Sequence, residues 1–299
     1  MIKRTLYFGN PAYLKKRDNQ LVVELPNDTT KQSASVPIED IGMVVLDHPQ
    51  ITITHALLMA LNENNVATLS CNNSHTPEAL MLPLASHHAY TEKLYNQLES
   101  SLPLKKNLWQ QTVVSKIQNQ AALLAQNGVT TDKMDFFVRQ VKSGDPDNVE
   151  GRAAAYYWSN LLDPPGFKRH RFGDQPNAMF NYGYAILRGV VARSLVGSGL
   201  LPALGIHHRN KYNPYCLADD IMEPYRPYVD QLVLAYVDAN ETGEELTLEM
   251  KRHLLQVPVI DIVIEGKSSP LMVGVQRTTA SVADCFAGIT RKILYPEMQ

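Results

Sequence analysis

Over residues 1 to about 75, apolar positions fall in short runs bounded by turn residues, which predicts strands. Arg4 to Phe8 and Gln20 to Leu25 are strand-like, and Gly9-Asn10-Pro11 and Lys16 to Asn19 carry turn signals between them. Ser33 to Pro37 alternates weakly, and Gly42 to Leu46 is an apolar run of buried-strand length. Thr54 to Asn62 has helical spacing, after which Val66 to Cys71 returns to a strand-like run. Around Leu82 to His88 the period changes. From Ala89 onward apolar residues recur three and four apart, which predicts helices. These are Tyr90 to Leu98, Asn107 to Asn127 with Gly128 as a stop, Asp132 to about Val141, and Val149 to Leu162 capped by Asp147 or Asn148. Asp163 to Gly166 breaks the chain, and a long apolar helix follows from Ala178 to Val196. Asp230 to Tyr236 and Thr247 to Leu255 continue the helical pattern, Val257 to Glu265 is β-like, and Ser281 to Leu294 predicts a closing helix.

One stretch departs from this alternation. Between two apolar segments, Ala203 to Asp230 gathers His207, His208, Asp219, Asp220 and Glu223, with Arg209, Lys211 and Arg226 among and after them. Charges set between buried segments cost stability unless they are paired or bind a metal. On a helix, Asp220 and Glu223 share a face, as do Asp219 and Glu223, and like charges so placed require a cation. His208 with these carboxylates is a workable donor set for Mg²⁺ or Mn²⁺. A solvated acidic face beside a surface histidine has the same spacing, so this stretch alone does not define a site. Pro224 and Pro227, three apart, predict a kinked or restarted helix just after Glu223. Glu150, in the first turn of its helix, has the position of a helix-dipole partner. Farther along, Phe167 to Phe172 sets Lys168, Arg169, His170 and Arg171 between aromatics, the composition of a phosphate-contacting loop and equally of a solvated one.

Composition limits the classes. The 299 residues suffice for two domains, the formal net charge of −2 gives no global attraction to nucleic acid, and any such surface must be a local basic patch. Cys71, Cys216 and Cys285 lie too far apart for zinc spacing and are odd in number, so they read as small buried thiols of a cytoplasmic protein. No apolar run of membrane-spanning length and no signal-peptide core occurs, and no membrane association is expected.

Taken together, VEGRAAAYYW (149–158), NAMFNYGYAILR (177–188), GIHHRNKYNPYCLADDIMEPYRPYVD (205–230) and the opening TLYFGNPAYLKKRDNQLVV resemble the CRISPR-associated integrase, the larger protein of spacer acquisition, in its type II branch. The resemblance covers essentially the whole chain, and the order of these segments is more specific than any one of them. It implies an α+β, two-domain fold: a small β-rich N-terminal domain, residues 1–85, carrying the dimer contact, and a larger all-α helical catalytic domain, residues 86–299. It also implies a Mg²⁺ or Mn²⁺ site on Glu150, His208 and Glu223, with Asp220 either a further ligand or a support for the others. The implied reaction joins the 3′-hydroxyl ends of a short foreign duplex to phosphodiesters at a CRISPR repeat, and its reverse nicks branched DNA. Lys168, Arg169, Arg171, His207, Arg209, Lys211 and Arg226 are the residues expected to contact DNA. Tyr182, Asn181 and Arg188 are expected to support the site. Implied partners are double-stranded DNA, a second copy in a homodimer, a small adaptation protein completing a heterohexamer, and the type II effector nuclease. Two other readings use the same residues: a metal-dependent nuclease cutting branched DNA in repair, and a non-catalytic DNA-binding scaffold.

Overall fold

The computed structural model describes residues 3–26, 33–84, 87–162, 167, 169, 170, 173, 175–241 and 243–299. The chain divides into two compact units, residues 1–88 and residues 89–299.

The first unit holds β1 (Arg4–Phe8), β2 (Ala12–Arg17), β3 (Gln20–Glu24), β4 (Ala34–Pro37), β5 (Ile41–Leu46), β6 (Ile51–Ile53), α1 (His55–Glu63), β7 (Ala67–Cys71) and β8 (Pro77–Met81). The strands form two sheets, ordered β1-β5-β7-β8 and β4-β3-β2-β6. In the first sheet β1, β5 and β7 run parallel and β8 closes antiparallel. Strands covered on both faces read as unbroken apolar runs, and β5 is buried from Ile41 to Val45. Leu14 and Leu21 of the second sheet pack with Ile41, Val44, Leu57 and Leu61 in one core.

Three of these strands escape the apolar pattern. β2 buries only Ala12 and Leu14, and its outer half is Lys15-Lys16-Arg17. The turn expected over Lys16 to Asn19 is therefore shorter: Arg17 pairs with Gln20, and only Asp18 (φ 49°) and Asn19 (φ 57°) turn the chain. A type I′ two-residue hairpin loop has positive φ at both positions, as here, which Asp and Asn tolerate. β6 is three residues long, and β8 (PEALM) is held by its pairing to β7 rather than by its composition.

The second unit contains α2 (Tyr90–Glu99), α3 (Leu102–Gln126), α4 (Asp132–Gln140), α5 (Val149–Leu161), α6 (Asn177–Gly197), α7 (Cys216–Met222), α8 (Arg226–Ala239), α9 (Leu248–Leu254), β9 (Asp261–Ile264), β10 (Lys267–Pro270) and α10 (Leu271–Phe286). The expectation of an all-α second part is corrected here. β9 and β10 form an antiparallel hairpin in which Ile264 pairs with Lys267 across Glu265 and Gly266, both at positive φ. The closing helix is also displaced: α10 ends at Phe286, Gly288 follows at φ 74°, and Arg291 and Lys292 lie in non-helical chain. A left-handed glycine just past a helix end is the usual stop. Among the described residues no helix is long and apolar enough to cross a membrane.

α6 is the centre of the second unit, packing against α7, α8, α9 and α10. Every residue from Gly189 to Val196 is buried. At Gly183 the approach of α8 is so close that a Cβ would lie 2.5 Å from Val229 Cγ1. Gly183→Ala is therefore expected to lower stability by about 1–3 kcal/mol through overpacking, read as a lower urea midpoint with an unchanged denaturant slope.

Candidate active site

Glu150 is fixed by the start of α5. Asp145 Oδ1 and Oδ2 accept from the backbone N–H groups of Val149 (2.9 Å) and Glu150 (3.0 Å). Asn148, in the left-handed region at φ 47° and ψ 48°, caps the helix by accepting from Gly151 N–H. Of the two caps expected, Asn148 takes the position, and Asp147 pairs with Lys142 at 2.7 Å instead. With the first-turn donors satisfied by other residues, the Glu150 carboxylate is left for another partner.

Glu223 sits where the chain changes helix. α7 ends at Met222, residues 223–225 form one 3₁₀ turn, and α8 starts at Arg226. Pro224 and Pro227 lack the N–H groups a continuous helix would use. The carbonyl of Pro224 instead accepts from Asn119 Nδ2 of α3 at 2.8 Å, which ties the break to that helix. Glu223 is buried, and its Oε1 accepts from Arg226 Nε at 2.9 Å. Its Oε2 lies 2.6 Å from Lys116 Nζ. The same ammonium donates to Glu150 Oε1. Burial alone would raise the Glu223 pKa, but Arg226 and Lys116 outweigh it and hold the carboxyl at about 2. Burial pulls the Lys116 ammonium down, while Glu223 and Glu150 more than restore it, so its pKa is raised. One buried lysine thus draws carboxylates from α5 and from the α7–α8 break onto a single positive charge.

His208 is held by Asp220. The Asp220 carboxylate is fully buried and accepts from Ile206 N–H (2.7 Å), His207 N–H (2.9 Å), His208 N–H (3.2 Å) and His208 Nδ1 (2.5 Å). The loop closes this tightly over the carboxylate because residue 205 is glycine. A Cβ there would lie 2.4 Å from the His208 carbonyl oxygen and 2.8 Å from Asp220 Oδ2. With Nδ1 engaged, Nε2 is the nitrogen left for chemistry. The hydrogen bond to Asp220 raises the His208 pKa, against its burial, and the charges of Glu223 and Glu150 add to the effect. His207 stacks flat on Trp109 of α3, with ring centroids 4.1 Å apart and planes at 5°. Its pKa is lowered by burial and by the neighbouring His208.

Beside Glu223 opens a cavity of about 730 Å³ lined by Lys116, Arg226, Arg188, Arg169 and Tyr184. Arg226 lies over the Tyr184 ring, 4.5 Å from its centroid. Buried Asp230 accepts from Tyr184 OH (2.5 Å) and Tyr157 OH (2.7 Å), and burial pushes its pKa up to about 6 despite these donors. Arg188 Nε pairs with Asp219 Oδ1 at 2.6 Å. A larger cavity, about 920 Å³, lies between α3 and the chain after Gly288 and is lined by none of Lys116, Glu223, Arg226, Arg188 and Arg169. The chemistry, not the volume, marks the site.

A family model described as CRISPR associated protein Cas1 matches residues 6–257. The chain belongs to the Cas1 family. A curated relative, the CRISPR-associated endonuclease Cas1 of Neisseria meningitidis serogroup C (strain 8013), is 35% identical over 98% of this chain and 94% of its own length. Among solved structures, a casposase bound to its integration product superposes with a TM-score of 0.78 at 19% identity, covering 98% of this chain and 92% of that one. The Cas6-RT-Cas1–Cas2 complex includes a chain that matches with a TM-score of 0.72 at 18% identity over 97% of this chain and 35% of that chain. At these identities the two structures show the Cas1 fold.

Within this Cas1 fold, Glu150 and Glu223 meet at Lys116, and His208 lies near enough to feel both charges. Among the described residues, no three acidic, histidine or cysteine side chains converge closely enough to enclose an ion. Asp220 is occupied by four donors that position His208. Of the expected DNA contacts, Lys168 and Arg171 lie outside the described residues. Arg209 and Lys211 are exposed on the loop after His208, and Lys211 sits 4.8 Å over the Tyr212 ring. Arg169 donates to His170 O and to Asn177 and Asn181 side chains, and Trp109 covers one face of His207, so both are partly built into the protein. Lys116, Trp109 and Asp230 were not anticipated from the sequence. Lys116 had a usable signal, a lysine in register with the buried positions Leu108, Thr112 and Gln120 of α3.

Asp220→Ala leaves three backbone N–H groups and a ring nitrogen without their acceptor and is expected to destabilise the chain by roughly 3 kcal/mol or more in urea unfolding. Asp230 gives a pH signature. Its folded pKa of about 6 exceeds the ordinary value near 4, so the folded state holds the extra proton between those pH values. The cost of its buried charge is full above pH 6 and absent below pH 4. Relative to Asp230→Asn, wild type is expected to gain on the order of 3 kcal/mol as pH falls from 7 to 4, measured by paired denaturant titrations.

Proposed function

We propose that this chain is a divalent-metal-dependent DNA strand transferase and endonuclease of CRISPR spacer acquisition, of the type II branch. It joins the 3′-hydroxyl ends of a short foreign duplex to phosphodiesters at the edges of a CRISPR repeat. The observation that carries this reading is the pair of carboxylates drawn onto one cation near a clamped histidine, with Glu223 and that cation lining an arginine-rich cleft. The Neisseria relative is an endonuclease by name, and the casposase is bound to an integration product; the same donor set suits both kinds of chemistry.

Glu150, Glu223 and Nε2 of His208 are the groups that would hold Mg²⁺ or Mn²⁺. The carboxylate pair suits a cation, because Glu150 and Glu223 already share the positive charge of Lys116, and the charges of both reach His208. Bound there, such an ion would activate the attacking hydroxyl and stabilise charge on the phosphate. The remaining work falls to the chain itself. Asp220 fixes the tautomer and orientation of His208. Arg226 keeps Glu223 ionised and presents its guanidinium to the cleft, where Arg188 and Arg169 add sites for phosphate oxygens. A protein nucleophile is not required. Cys216 and Cys285 are buried with thiol pKa values raised by desolvation, and Cys71 lies in the β-rich unit.

The partners follow from the same reading: a homodimer through the β-rich domain, and a small adaptation protein that bridges two dimers into a heterohexamer. The pairing of Cas1 with Cas2 in the matched complex supports such a partner. The type II effector nuclease is a further partner, and the cytoplasm is the place of action.

Half-site integration tests the reading, with labelled short duplex, a plasmid bearing the repeat array, the small partner, and Mg²⁺ or Mn²⁺. Wild type is expected to give joined product that EDTA abolishes. His208→Ala and Glu150→Gln are each expected to reduce it at least about a hundredfold, beyond the usual effect of a group that only supports a ligand. Undiminished joining by His208→Ala would reject the assigned centre.

A further inference from the structure

Lys116 occupies a position that the reaction does not by itself require. It sits on the buried face of α3 and is only 7% exposed. An ammonium taken out of water is retained only when its charge is well paired. Its Nζ engages Glu150 Oε1 and Glu223 Oε2 together, and these two residues carry the carboxylates assigned to the metal. Arg226 is bound to the other oxygen of Glu223, so the cluster balances two carboxylates against two cations without any ion.

We propose that Lys116 is the resident cation of this site: Nζ keeps Glu150 and Glu223 aimed at one point and competes with the divalent ion for their oxygens. The inference rests on the metal-site reading above. Three positive groups around two carboxylates would leave an excess of charge, so an entering ion displaces Nζ from at least one of them. A lysine has a flexible four-carbon stem and a pointlike charge suited to such a move. Lys116 also lines the arginine-rich cleft, where a DNA phosphate offers the displaced ammonium another anion. Ion and DNA therefore bind with positive coupling, each relieving the cost that the other meets. Lys116 is a positioning residue in this scheme. It sets how readily the site loads.

The decisive measurement is Mn²⁺ affinity, followed by the electron paramagnetic resonance signal of free Mn²⁺, for wild type and Lys116→Gln, with and without duplex DNA. Lys116→Gln is expected to bind Mn²⁺ at least about tenfold more tightly without DNA, which is about 1.4 kcal/mol. Its melting temperature should fall in EDTA and recover with Mn²⁺. DNA should tighten Mn²⁺ binding to wild type and have much less effect on the variant. Equal or weaker Mn²⁺ binding by the variant would overturn the proposal, because a purely structural lysine would lower stability without raising affinity. Adding His208→Ala to the variant separates the two readings. If Mn²⁺ then binds as tightly as before, the ion is not at this centre, and both fall. If binding is lost while Lys116→Gln alone matches wild type, only the role of Lys116 falls. Should Lys116→Gln fail to fold, wild type supplies the test. Acetylation of Lys116, read by mass spectrometry, is expected to rise several-fold on adding Mn²⁺, and an unchanged rate would overturn the proposal.

Discussion

Two carboxylates drawn together by one buried ammonium set the arrangement of the helical unit. Glu150 comes from the first turn of α5, Glu223 from the 3₁₀ turn between α7 and α8, and Lys116 from the middle of α3. No two of these are close in sequence, so their meeting requires three elements to be fixed independently. Each has its own device. Asp145 and Asn148 saturate the start of α5, Asn119 takes the carbonyl exposed at the α7–α8 break, and α3 supplies both Asn119 and Lys116 one turn apart. A buried ion pair is seldom the most stable filling for such a space. Its presence here is intelligible as chemistry that the fold has been arranged to tolerate.

The same pairing of buried polar groups explains the layer behind the cleft. Asp230 accepts from two tyrosine hydroxyls, one of which, Tyr184, lies under Arg226. Arg226 in turn holds Glu223. The chain Asp230–Tyr184–Arg226–Glu223 thus runs from an interior helix face to the site. Its inner end carries a raised pKa and its outer end a lowered one. The contrast lies in the direct partners. Asp230 touches neutral hydroxyls, which only partly replace water, and feels Arg226 and Arg169 from farther off, while Glu223 touches two full positive charges.

What the sequence disclosed follows from how each feature is encoded. Helices of the second unit were legible because a 3.6-residue period survives burial on one side. The strand β5 was legible as an apolar run. β2 was not, since four of its six residues face outward or lie half-buried, and β8 was not, since its identity comes from a partner strand. β9 falls within the β-like run Val257 to Glu265, but β10 hid because Glu265-Gly266 is a turn signal only when both flanking runs are already known to be strands. At the site, Glu150, His208 and Glu223 were found through motif order, and spacing alone would not have separated them from a solvated acidic face. Lys116 was missed for a different reason. A charged residue at a core position of an apolar helix is visible in the sequence, but the carboxylates that justify it lie 34 and 107 positions away.

Asp220 and Glu223 show why counting acids on a helix face is not enough. Three apart on a continuous helix they would point the same way and share one role. The helix is not continuous. Asp220 remains in α7 and turns toward the Gly205–His208 loop, where backbone N–H groups and an imidazole occupy both of its oxygens. Glu223 falls in the turn that Pro224 enforces, and it faces α3 and Arg226 instead. One carboxylate serves geometry and the other is kept for charge. The proline between them and α8 is what makes the two acids different, and a chain that healed this break would bring their charges back onto one face, where each would need the cation that only one of them now has.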